Sequence, residues 1–125
     1  MRREPMDKRA LGSWGEDRAA RFLRRKGYRI VERNFSTRLG EIDIIAEKGG
    51  IVAFVEVKLR KNADYGEAKE FVTYSKQRKV ISTAMLWLAR ENTELQPRFD
   101  VIEIYAPDGV ESKRVLINHI EDAFQ

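Results

Sequence analysis

The chain contains no cysteine, which excludes disulfides, thiolate zinc sites and cysteine nucleophiles together. It holds a single histidine, His119. With no second nitrogen donor, zinc is not expected and a structural role is. No apolar run approaches the roughly 18 residues that a spanning helix needs, so no membrane partner is expected. The start, MRREPMDKRA, is basic but leads into no apolar stretch of the kind a secretory signal carries. Neither G-x-x-x-x-G-K nor G-x-G-x-x-G occurs, so ATP use within the chain has no support. These absences lead to the expectation of a cytoplasmic protein.

What is present fits one highly charged domain. The 125 residues, 42% hydrophobic and 35% charged, are enough to bury a core and still cover it with charge. The charge is uneven. Residues 1–38 hold 12 Lys and Arg against 5 Asp and Glu, whereas the remainder holds 12 against 15. A basic amino-terminal third beside a slightly acidic body fits a polyanion partner or a solubilising helix surface.

Residues 1–10 are expected to form a flexible basic tail, and residues 11–125 one domain. SWGEDRAARFLRRKGYRI reads as a helix, with Ser13 as N-cap, Trp14, Ala19, Phe22 and Leu23 at helical spacing, and Gly27 as the stop. YRIVERNF reads as a strand. EIDIIAE and IVAFVEVKL read as two more, joined through Gly49-Gly50 as a hairpin. RKNADYGEAKEFVTY lacks a period and reads as a loop. From Ser75, Val80, Ile81, Ala84, Met85, Trp87 and Leu88 make the apolar stripe of a second helix. RFDVIEIYA is a fourth strand, Pro107-Asp108-Gly109 a turn and RVLINHI a last strand. The order αβββαββ predicts one α/β domain with a mixed central sheet flanked by helices. Trp14 and Trp87 fall on apolar helix faces and read as core. Asp100 shares a strand face with Ile102 and Ile104 and reads as a buried, hydrogen-bonded structural acid.

The hairpin carries charge where apolar residues are expected. By strand alternation, Glu41 and Asp43 share one face and Ile42 and Ile44 the other. Glu56 and Lys58 likewise oppose Val55, Val57 and Leu59. Pairing through the hairpin then lets Asp43 approach Glu56 and Lys58. Adjacent carboxylates raise each other's pKa unless a cation stands between them, and hard oxygen donors suit Mg²⁺. The bland reading of the same residues is a solvated sheet face with cross-strand Lys–Glu pairs. E-x-K alone is common, but D-x₁₂-E-x-K across a hairpin is more specific.

GEID…FVEVK resembles the D…(D/E)-x-K signature of the restriction-endonuclease-like nuclease superfamily, with Ile42 where proline often stands. GSWGEDRAARFLRRKGYRIVERNF, GEIDIIA, FVEVKLR and RFDVIEI resemble, in the same order, the YraN-type bacterial family of predicted endonucleases. That family is distantly similar to archaeal Holliday-junction resolvases. The resemblance runs from about Gly12 to Tyr105. It implies a restriction-endonuclease-like fold and a metal-dependent DNA endonuclease acting on branched or structured duplex, with a homodimer suited to two symmetric cuts. It also implies Asp43 and Glu56 as ligands of Mg²⁺ or Mn²⁺, the Val57 carbonyl as a third oxygen, and Lys58 beside the attacking water and scissile phosphate. Glu16 matches the helix-one glutamate that helps complete such a site, but Ser13-Trp14-Gly15-Glu16 is equally a capping box. Gln77 matches the glutamine that related nucleases place on the helix after the E-x-K strand, or it simply opens a solvated helix. Glu41 reads as a surface acid.

Arg21, Arg24 and Arg25, taken as an inward-facing stripe of the first helix, and Lys76, Arg78 and Lys79 on the second are candidate phosphate contacts. Both groups are expected to border the carboxylates, with DNA crossing between them. Two other readings stand beside the endonuclease: a non-catalytic nucleic-acid-binding module on the same fold, and a protein-interaction scaffold. A pure binding module has no need of the acid–acid–lysine set.

Overall fold

Gly49 and Gly50 turn the chain back between two strands, with φ of 54° and 81°, a region that glycine enters freely because it lacks a Cβ. The structure is a computed structural model and describes residues 8–61 and 73–125. In chain order these form α1 (Lys8–Arg25), β1 (Arg29–Thr37), β2 (Gly40–Lys48), β3 (Ile51–Arg60), α2 (Tyr74–Glu91), β4 (Gln96–Tyr105), a short 3₁₀ turn (Gly109–Glu111) and β5 (Leu116–Phe124). The αβββαββ order and the mixed sheet are those expected from the sequence. Most of the segment read as a loop, residues 62–72, lies outside the described residues. Among the described residues, no helix is long and apolar enough to cross a membrane.

The five strands lie side by side in sequence order. Neighbours are antiparallel except β3 and β4, which run parallel, because α2 carries the chain back over the sheet between them. Each face is covered by one helix. Ala19, Ala20 and Leu23 of α1 pack on Ile44, Ala46, Ala53, Val55, Ile102 and Ile104. Val80, Ala84 and Trp87 of α2 pack on Ile42, Ile45, Val52, Phe54 and Val101. Each such large apolar side chain contributes about 1.5–3 kcal/mol by leaving water. With both faces covered, β3 is apolar at every position from Val52 to Val55. Glu56 and Lys58 follow on the α2 side, where the apolar stripe of α2 gives way to its polar first turn.

Three expectations change. α1 begins at Lys8, so residues 8–10 belong to the helix rather than the tail. Ser13 consequently lies inside the helix and cannot cap it. Packing of Leu11 near Gly109, where an added Cβ would stand 3.6 Å from Leu Cδ1, favours the longer helix over the local capping signal. Nor do Ile42 and Ile44 share a face: Ile44 joins the α1 cluster and Ile42 the α2 cluster. β2 parts from β3 at Ile44, and beyond that point Ile42 and its β1 partner Phe35 both pack with the α2 cluster.

The tryptophan and Asp100 readings agree with the structure. Trp87 is buried, meets Phe54 edge-on and donates its indole N–H to Glu32 Oε1 at 3.1 Å. Trp14 packs partly buried against the α1 cluster. Asp100 is fully buried and accepts two bonds from Arg98 (2.9 and 2.8 Å) and one from the Asp122 N–H (3.1 Å). His119 Nε2 stands 2.8 Å from it. Burial opposes the charge of Asp100, but the bonds from His119, Arg98 and Asp122 outweigh it and hold its pKa low.

Both outer strand pairs are irregular. The β1–β2 register shifts between Ile30 and Glu32, and the β4–β5 register between Phe99 and Val101. Each edge strand also holds a non-glycine residue with positive φ: Asn34 in β1 and Asp122 in β5, both at 53°.

Candidate functional site

The β2–β3 ladder runs from Lys48↔Ile51 to Ile44↔Val55 and ends there. Asp43, the next residue, spends its Oδ2 on the Val57 N–H at 2.8 Å, so the carboxylate fills the place of a ladder bond and is pinned beside β3. Glu56, buried on the α2 side of β3, comes into the same cleft. α2 supplies the opposite wall. Thr73 caps the helix in an extended conformation, its Oγ1 accepting from the Lys76 N–H at 3.2 Å, which fixes where the Lys76 stem begins. Gly40 lets β2 pack closely there: a Cβ on it would stand 3.0 Å from Thr83 Oγ1 and 3.2 Å from the Lys79 carbonyl. The resulting cleft, about 360 Å³, is lined by Glu41, Asp43 and Glu56 on the strand side and by Lys76 and Lys79 on the helix side.

Two ammonium groups, one from β3 and one from α2, go to the same acid. Lys76 Nζ lies 2.5 Å and Lys58 Nζ 3.4 Å from Glu56 Oε1. Asp43 has no such partner within 4 Å among the described residues. Burial, then the charges of Glu56, Glu16 and Glu41, lift its pKa to about 7 against the pull of the Val57 N–H. The Lys58 pKa is lowered, by burial and then by the Lys76 ammonium, with Glu56 working against both. The Lys76 pKa is raised, since its bond to Glu56 and the charges nearby outweigh burial. Glu16 reaches the same region from α1. Burial raises its pKa, partly offset by Arg33 and Asn34. Its Oε1 is buried without a hydrogen bond, with Arg33 Nη2 3.6 Å away.

Asp43 and Glu56 thus line one cleft, Lys58 pairs with Glu56 beside it, and Glu16 is close enough for its charge to act on Asp43. Val57 offers its N–H to this group. The three basic candidates on α2 divide. Lys76 and Lys79 line the cleft, whereas Arg78 is exposed and does not. Gln77 sits half-buried in the first turn, its N–H on the Thr73 carbonyl at 2.9 Å, and does not line the cleft.

The arginines of α1 are placed otherwise than expected. Arg21, Arg24 and Arg25 are exposed rather than inward-facing; Ala19, Ala20 and Leu23 hold the inner face. Arg25 lies nine residues beyond Glu16, about 14 Å along the axis. That end of α1 meets the hairpin turn, where Lys48 Nζ donates to the Lys26 carbonyl. The Arg24–Arg25 end is therefore remote from the carboxylates.

Sequence reasoning missed two contacts. The Lys76–Glu56 bond joins residues of two elements in a register that no local pattern encodes. Glu103 is the second: buried on β4 opposite Lys58, it takes a bond from Asn118 Nδ2 at 3.0 Å and faces Arg60 Nε at 3.7 Å. Its signal was a charged residue inside the apolar run VIEIY, legible only once β3 and β4 are known to be parallel partners.

A mixed α/β domain with an acid–lysine cleft between a strand end and a helix start is the class that fold and site define. The chain belongs to the uncharacterised protein family UPF0102, which matches residues 15–104 and is the YraN-type family of the sequence motifs. Similar relatives span nearly the whole chain. A UPF0102 protein of Symbiobacterium thermophilum is 48% identical, covering 93% of this chain and 97% of its own length. One of Caldanaerobacter subterraneus subsp. tengcongensis is 42% identical, covering 95% and 98%. One of Nocardia farcinica is 43% identical, covering 94% and 91%.

Proposed function

We propose that this protein is a metal-dependent phosphodiesterase acting on DNA, an endonuclease of restriction-endonuclease-like type with a preference for branched or structured duplex. The observation that carries the reading is that Asp43 and Glu56 line one cleft with Lys58 paired to Glu56, and that Asp43 is pinned by the Val57 N–H. The donor set fits a hard divalent ion. Three carboxylates line the cleft, Asp43 among them has no ammonium within 4 Å among the described residues, and the buried Glu16 Oε1 has no hydrogen bond. Among the described residues, no group of three or more His, Asp or Glu side chains is arranged to hold a metal. Mg²⁺ commonly takes only one or two protein carboxylates and keeps several waters. Asp43 and Glu56 would hold the ion, with the Val57 carbonyl as a further oxygen and Glu16 behind them. A bound Mg²⁺ or Mn²⁺ would supply Lewis acidity at phosphorus and a more acidic water. Lys58 would orient the attacking water and offset phosphate charge, and Lys79 on the rim would draw in the backbone. Glu41, exposed on the cleft, stays outside this set.

The test is a panel of junction, flap, single-stranded and plain duplex DNA, each with Mg²⁺ and with Mn²⁺, run beside Asp43→Ala. The expected result is metal-dependent cutting of a branched substrate that Asp43→Ala abolishes while DNA binding persists. Equal cutting by parent and variant would sink the assignment. A second reading, a DNA-binding module without turnover, draws on the fact that Glu56 already carries two ammonium partners. It predicts binding across the panel with no cutting under either metal.

A further inference from the structure

Asp43 and Glu56 line the same cleft, yet the ammonium groups around them are shared unevenly. Lys58 and Lys76 both approach Glu56 Oε1, at 3.4 and 2.5 Å, and neither stands within 4 Å of Asp43. The two lysines differ in how they are held. Lys58 rises from β3 two residues beyond Glu56, so the strand itself keeps it there, and its side chain is 23% exposed. Lys76 reaches in from the first turn of α2 and is 46% exposed, so its stem can swing into water, leaving the buried Glu56 to Lys58 and to an incoming ion. Its ammonium lies between strand and helix, on the carboxylate oxygen that a divalent ion would need.

We propose that Lys76 is an internal counterion that occupies the cation position of this cleft and is exchanged for the divalent ion when the ion binds. The inference rests on the metal-site reading above. Lys58 and Lys76 already offset the charge of Glu56, the acid they both approach. A divalent ion added with Lys76 still in place would set two further positive charges beside an ammonium on the same carboxylate. Mg²⁺ binds oxygen at about 2.0–2.1 Å, so ion and ammonium cannot both sit close to Glu56 Oε1 without strong repulsion. Exchange removes that conflict and frees an ammonium at the mouth of the cleft. Lys76 is thus a positioning residue: it holds Glu56 in place before loading and weakens the ion's hold by competing for it.

The experiment uses Mn²⁺ alone as probe and follows free Mn²⁺ by electron paramagnetic resonance, with no nucleic acid present. Parent, Lys76→Met, Lys76→Arg, Asp43→Asn and the double variant Lys76→Met/Asp43→Asn are compared, each checked for folding by circular dichroism. The expected result is a Mn²⁺ Kd at least tenfold lower in Lys76→Met than in the parent, an effect absent from Lys76→Arg and lost in the double variant. Binding seen only in Lys76→Met supports the inference equally. Parent binding that depends on Asp43 but is no tighter in Lys76→Met overturns the counterion role and leaves the metal site standing. If neither parent nor Lys76→Met shows Asp43-dependent binding, both readings fall.

Discussion

Asp43 illustrates how one side chain can trade stability for a site. Burial and the neighbouring Glu56, Glu16 and Glu41 hold its pKa near 7 in the folded chain, against about 4 in an unfolded one. An acid shifted this way binds more protons folded than unfolded, so stability falls as pH rises from about 4 to about 7. We expect Asp43→Asn, which keeps an oxygen for the Val57 N–H, to be the more stable protein at pH 8, by on the order of 2 kcal/mol. Urea unfolding from pH 4 to 8 with a chelator present measures the difference. A parent-minus-variant curve that stays flat over that range would contradict the shift. Asp43, Glu56 and Lys58 were legible in the sequence because strand alternation and a two-glycine turn set which residues meet. The partner that Glu56 takes from α2 was not. It depends on how far the helix slides along the sheet, a quantity fixed by side-chain packing between distant segments.

The contact between β2 and α2 turns on a missing side chain. Gly40 has no room for a Cβ beside Thr83 Oγ1 and the Lys79 carbonyl, whereas a Cβ at Gly12, inside α1, would meet nothing within 4 Å. Gly40→Ala is expected to push strand and helix apart at a cost of about 1–3 kcal/mol. Gly12→Ala should stabilise by about 0.5–1 kcal/mol, since alanine is the better helix former. Denaturant midpoints of the two variants test the pair, and a Gly40→Ala protein as stable as the parent would show that the contact relaxes freely. The elements themselves were largely readable: periodicity marks α2, and β-branched runs mark β2 and β3. The start of α1 was not, because Ser13-x-x-Glu16 carries a capping signal that packing of the upstream turn overrides. The faces of Ile42 and Ile44 were misread because a period of two presumes a regular strand, and β2 parts from β3 between these two residues.

In the folded chain the two basic groups lie at separate places. Lys76 and Lys79 line the cleft wall on α2, while Arg24 and Arg25 close α1 beside the hairpin turn. If DNA follows the cleft, replacing Lys76 and Lys79 by alanine should reduce the slope of log K against log salt by about 0.9 for each phosphate no longer neutralised. Arg24→Ala/Arg25→Ala should leave that slope unchanged. Fluorescence-anisotropy titrations over a range of salt concentrations measure both, and equal effects from the two pairs would show a diffuse positive field instead of a track. Charge asymmetry along the sequence could not make this distinction, because it does not say on which end of a helix a residue meets the sheet. The interrupted outer strands carry one more consequence. A sheet edge that is straight and regular offers its free amide and carbonyl groups to any second chain, and is the usual starting point for aggregation. Here a register shift and a left-handed residue at each border spoil that template. Growth of the sheet past its edge strands is thereby disfavoured, and if two copies associate, the expected contact is through helix faces or loops and not through shared strand pairing.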